Sequence, residues 1–140
     1  MRALLRGLLF LLLIGAVALV YRMRFEDASL AVDARAVAQL AALRQEPKFV
    51  DLPGVPGPRL DAERRRNTDS LNELLDRVLQ GIEAHPSQRW LFNEMAPTVS
   101  GMALEDTEVR ERYVDYLQRV DSIFGIASTH GAFATDLIFF

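Results

Sequence analysis

TEVRERYVDYLQRVDSIF, residues 107–124, decides the fold class. Its apolar positions Val109, Tyr113, Tyr116, Leu117, Val120 and Phe124 recur at intervals of three and four. That spacing puts them on one face of a helix about five turns long. Charged residues fill the rest, and Gly125 follows where a helix commonly ends in left-handed backbone. A helix with one apolar stripe has to bury it against other elements, and the neighbouring sequence supplies more helices. Upstream, Leu71, Leu74, Leu75, Val78, Leu79 and Ile82 form a second stripe. Asp61 is the expected cap of that helix, and His85-Pro86 ends it because a residue before proline is pushed out of the α region. Ser87 then caps a helix containing Trp90, Leu91 and Met95, which Pro97 breaks or kinks.

Further upstream, residues 29–44 read as an Ala-rich helix with Leu30, Val37, Leu40 and Leu43 on one face. Ser29 can cap it and Pro47 closes it. Its narrow stripe needs a partner, either the domain or a second copy. Between the helices, PKFVDLPGVPGPR (residues 47–59) holds four of the six prolines. Proline removes donors and fixes φ, so this segment is expected as an extended connector, with Pro53 to Pro56 also fitting a PxxP ligand. After Gly125 the chain is mixed, with a turn over 128–131 and an apolar run at 137–140.

The N-terminal end has a different character. Residues 1–24 hold Arg2, Arg6, Arg22 and Arg24 and no acid, whereas residues 25–140 hold 12 basic and 19 acidic side chains, a charge of −7. From Gly7 to Tyr21 no charge occurs. Counted from Ala3, with Arg6 reaching back to the headgroups, the helix spans about 28 Å, close to the roughly 30 Å of a bilayer core. A retained transmembrane helix is therefore expected over residues 3–21. The alternative is a secretory signal cleaved near Ala18, since Ala16-Val17-Ala18 fits an A-x-A site; hydrophobicity continuing through Tyr21 argues against it. A margin of about one positive charge favours a cytoplasmic N-terminus. The expected address is the bacterial inner membrane, single-pass, with the C-terminal domain periplasmic. The fold class is thus all-α, an N-terminal transmembrane helix plus a small helical bundle. The divisions are 1–24 membrane anchor, 25–46 helical stalk, 47–60 linker and 61–140 helical domain.

Composition removes several functions. With no cysteine there are no disulfides, thiolate metal sites or cysteine nucleophiles. A domain at −7 repels phosphates, so no nucleic-acid partner is expected. His85 and His130 lack a ligand at i+3 or i+4, and neither a nucleophile elbow nor a phosphate loop occurs, so no cofactor is expected. Glu105, Asp106, Glu108 and Glu111 cluster with Asp115, and such carboxylates can do acid–base work or hold a divalent cation. In the first turns of a helix, however, they read first as dipole partners on a solvated face, with Asp106 as a cap and Arg110 and Arg112 neutralising the neighbourhood. Arg64-Arg65-Arg66 point about 100° apart on a helix and read as solvated charge. Trp90 reads as core, or as a partner anchor if it is exposed.

Asp106-Thr107-Glu108, Glu111-Arg112, Tyr116, Gly125-Ile126, Ser128 and Gly131 together resemble a small bacterial family of helical domains of unknown function. In that family a D-T-E-x-x-E-R segment opens a long Tyr-bearing helix that ends at G-I or G-L. The similarity extends upstream to Asn72-Glu73-Leu74-Leu75-Asp76 and covers about residues 60–135. His130 replaces an acidic residue of the pattern, and the N-terminal segment lies outside it. The resemblance implies a helical fold and no activity. For its motif, a Glu108–Arg112 pair at i, i+4, or an Arg112 tie to a carboxylate on a neighbouring helix, is the physical expectation. The functional expectation is a membrane-anchored, non-enzymatic binding module with a protein partner, in a narrower version an immunity-type toxin inhibitor. Asp106, Thr107, Glu108, Glu111, Arg112 and Trp90 are its candidate contact residues. The alternatives are a metal-dependent or acid–base site on Glu105 to Glu111 and a purely structural scaffold.

Overall fold

The computed structural model describes residues 28–51, 57, 58 and 60–127. Four helices form among them: α1 (Ala34–Gln45), α2 (Asp61–Gly81), α3 (Gln88–Met102) and α4 (Thr107–Ile123). Each packs on its neighbours in the chain, and α1 against α4 closes the ring. The stripe of α4 is buried as its spacing requires, Val109, Tyr113, Tyr116, Leu117, Val120 and Phe124 all facing the core. Leu71, Leu74, Leu75, Val78 and Ile82 of the second stripe are fully enclosed, while Leu79 is only partly covered. At roughly 1.5–3 kcal/mol per buried aliphatic side chain, these two stripes supply much of the driving force for the fold.

Helix ends follow local chemistry. Ser87 caps α3 by accepting from the Trp90 backbone N–H at 3.2 Å. Gly125, at φ 71°, closes α4, where Ile126 N–H reaches the Asp121 carbonyl at 2.9 Å and Gly125 N–H that of Ser122 at 3.2 Å. Three expectations about ends are corrected. Asp61 is the first helical residue of α2; Leu60 holds the cap position, without a side-chain cap bond. Asp106 stands at the N-cap of α4 yet its carboxylate makes no cap bond either. Helix α3 runs through Pro97 to Met102, so the proline does not break it.

Helix α1 begins at Ala34, not at Ser29, and Asp33 caps it by accepting from Ala36 N–H at 2.7 Å. Residues 28–30 are extended instead, since Leu30 N–H bonds the Pro86 carbonyl and Gln88 N–H the Ala28 carbonyl, both at 2.9 Å, and Ser29 bridges Ser87. The helix expected as a stalk has Ala36, Leu40 and Leu43 in the common core, so the partner of its narrow stripe is the domain. Residues 48 and 49 of the expected connector are likewise buried.

Among the described residues no helix is long and apolar enough to cross a membrane. The span expected over residues 3–21, the turn at 128–131 and the apolar run at 137–140 lie outside the described residues.

Candidate functional site

The sequence motif opens α4, and the fold sends its side chains in different directions. Arg112 turns inward. Although charged, it is buried, donates to the Val50 carbonyl at 2.5 Å and lies over the Phe49 ring, 5.8 Å from its centroid. Among the described residues it makes no ion pair, so the expected Glu108–Arg112 bridge is corrected. The reason is position: Arg112 stands four residues before Tyr116, on the covered side of the helix, whereas Glu108 is exposed.

Arg112 thereby holds residues 46–51 as a strap across α4. Phe49 is fully enclosed, its ring 4.9 Å from Tyr113 and 5.5 Å from Tyr116. Its backbone φ of 54° is unusual outside glycine and asparagine, a strained conformation that persists because the ring pocket fixes it. Beside it, Lys48 donates to the carbonyls of Leu43, Arg44 and Glu46 at 2.9–3.0 Å, satisfying the end of α1. Burial pushes the Lys48 ammonium below its ordinary range, and nearby Arg44 pushes it the same way. Arg119 closes the strap from α4, bonding both Glu46 carboxylate oxygens at 2.7 and 2.8 Å.

A polar seam runs beneath the motif. Glu105 accepts from Arg66 at 2.9 and 3.1 Å and from Asn67 Nδ2 at 3.5 Å. Asn67 is buried on α2 and accepts from the Tyr113 hydroxyl at both its carbonyl, 3.1 Å, and its side-chain oxygen, 3.3 Å. Burial raises the Tyr113 phenol above its usual range, so it remains a neutral donor. Glu105 is therefore committed to holding α2 against the α3–α4 turn. Of the three consecutive arginines, Arg64 turns toward Asp51 and Asp61, Arg66 toward Glu105, and Arg65 is exposed.

The outward-facing motif residues divide between two clefts. Thr107, Glu111 and Asp115 line one of about 420 Å³ with Arg110 and Val114. Asp106 and Glu108 line the other, of about 430 Å³, with Pro58, Leu60, Glu63 and Val109. Leu60 is 66% exposed there. Among the described residues no three carboxylates or histidines converge as metal ligands, because Glu105 points at Arg66 while its neighbours fan apart. Trp90 belongs to neither cleft. It is half-buried at the start of α3, stacked on His85 with ring centroids 5.6 Å apart and pressed against Gly81. Twelve residues of helix separate it from Met102, roughly 18 Å along the axis.

Sequence reasoning missed Phe49, Lys48 and Asn67, and it missed the pairing of Leu60 and Glu63 with the motif. Signals existed for two of them. Asn67 falls on the apolar stripe four residues before Leu71, and Phe49 is a lone aromatic amid prolines and glycines.

No curated protein and no solved structure matches this chain. A family model does, over residues 31–136, which includes α1, the strap, the seam and both clefts. The chain belongs to the family described as "Domain of unknown function (DUF4844)".

Proposed function

We propose that the chain is a membrane-anchored, non-enzymatic interaction module of the bacterial envelope. Residues 3–21 lie in the inner membrane as a single pass, and the helical domain works on the periplasmic side by contact with a protein partner. The observation that carries this reading is the pinning of the chain at Ala28, whose carbonyl accepts from Gln88 while Leu30 bonds Pro86. Only residues 22–27 separate the hydrophobic run from the folded part. Extended, they reach roughly 20 Å, so a domain anchored through that run stays beside the headgroups. Arg22 and Arg24 fall in this short stretch. The absence of an enzymatic role is supported by how the motif is used: Glu105 and Arg112 are engaged in packing and Asp106 and Glu111 line different clefts. An immunity-type inhibitor, which would cover an incoming toxin with this acidic surface, is the narrower form of the same reading.

The test uses the full chain, tagged at its C-terminus, expressed in its native cell and crosslinked before extraction. The chain is expected in the membrane fraction with its N-terminal run uncleaved by intact mass, and with one protein recovered in fixed ratio. A chain in the soluble fraction, or one in the membrane that crosslinks to nothing, contradicts the proposal.

A further inference from the structure

We infer that the cleft between the starts of α2 and α4 docks a basic segment of a protein partner, one apolar side chain set between Lys or Arg residues. The inference rests on the reading of the chain as a binding module and adds where and what it binds. The cleft offers Pro58, Leu60 and Val109 as apolar lining and Glu63, Asp106 and Glu108 as carboxylates, none of which makes an ion pair among the described residues. Asp106 and Glu108 are exposed and Glu63 is half-exposed, so all three meet solvent. Two helix N-termini meet here and offset roughly half a charge each. Counting Arg59 of the same stretch as well, the excess stays negative. An exposed leucine within an acidic ring is complementary to a cationic segment that brings its own apolar residue.

Other occupants fit less well. A second copy would bring another domain of charge −7 against the same sign. Metal ligands do not converge among the described residues. Lipid is disfavoured by place: the cleft lies at the N-terminal end of α2, and the Ser29–Ser87 bridge follows its C-terminal end. The 21 residues of α2 put roughly 30 Å between the two ends. With the chain anchored through residues 3–21, this cleft lies at the end of the domain farther from the attachment, within reach of soluble partners.

The experiment uses the full chain in nanodiscs of neutral phosphatidylcholine and a fluorescein-labelled probe peptide, acetyl-Lys-Arg-Leu-Arg-Lys-amide, read by anisotropy. Saturable binding that weakens with added salt is expected. The double variant Asp106→Lys with Glu108→Lys should lose about tenfold or more in affinity, because it reverses the cleft's sign. Leu60→Ser, or serine for leucine in the peptide, should lose about fivefold. Glu111→Lys with Asp115→Lys makes the same change of charge in the other cleft and should leave binding unchanged. Equal losses in the two double variants, undiminished binding by the first, or no saturable binding would each overturn the inference. A natural partner still crosslinked to the Asp106→Lys, Glu108→Lys chain would also overturn it while leaving the binding-module reading intact; loss of that partner from an equally stable variant supports it.

Discussion

Arg112 links the motif to the strap through one guanidinium, donating to the Val50 carbonyl and covering the Phe49 ring. Removing it leaves a part-buried carbonyl without its charged donor and uncovers the Phe49 ring, so Arg112→Ala should cost about 1.5–3 kcal/mol in thermal or urea unfolding. Arg112→Lys should recover only part, because an ammonium lacks the planar group that lies on the ring. An unchanged melt in both variants would remove Arg112 from the fold and return it to the surface as a contact residue. Gly81 gives a second test at this scale. A Cβ there would stand 2.4 Å from the Trp90 ring, so Gly81→Ala has to displace the indole. About 1–3 kcal/mol of destabilisation is expected, with an altered emission spectrum, which is readable because the chain has one tryptophan. The sequence reads Trp90 as core, whereas in the structure it is half-buried and packed against the outside of the core. Its partner Gly81 carries no periodic signal, since a glycine needed for a neighbour's ring looks like any other glycine.

Among the elements, α2 and α4 were legible because six apolar residues at helical spacing leave no competing pattern. Helix α1 was legible as a helix but not in its role: an Ala-rich stripe holds too little apolar surface to say what covers it. The structure supplies the missing contacts from side chains with no periodic signature, the strap and an ion pair to α2. Arg44 donates to both carboxylate oxygens of Asp76, at 2.7 and 3.0 Å, and this bond holds the Asp76 carboxyl below the usual carboxylate range. A folded-state pKa below the unfolded one means that the stabilisation is fully present above about pH 4 and is lost as pH falls through the folded value. Asp76→Asn should therefore melt below the wild type at neutral pH, by a modest margin because both side chains are partly exposed. The two melting curves should converge as the pH drops well under 4 in a pH series of melts. A gap that stays constant with pH would show that the pair does not tie α1 to α2.

For the whole molecule, the ring of four helices has two ends of different character. One carries the Ser29–Ser87 bridge and the connection toward residues 3–21; the other carries the acidic clefts. The helical class and the motif's position were readable from the sequence. The division of the motif between core, seam and clefts was not, because it depends on how α2 and the strap meet α4. With Glu105 tied to Arg66 and its neighbours diverging, calcium or zinc should not raise the melting temperature of the full chain. Stabilisation abolished by Asp106→Asn with Glu108→Gln would instead establish a metal site. The central claim, a domain held outside the cytoplasm against the membrane, is open to one direct measurement because the chain has no cysteine. Ser100 is exposed on α3, so Ser100→Cys gives a single reactive thiol on the domain. Full-length Ser100→Cys in spheroplasts is treated with a membrane-impermeant maleimide, and the membranes are then sedimented. Labelling in intact spheroplasts, with the labelled chain in the membrane pellet, is the predicted result; labelling that appears only after lysis contradicts the claim.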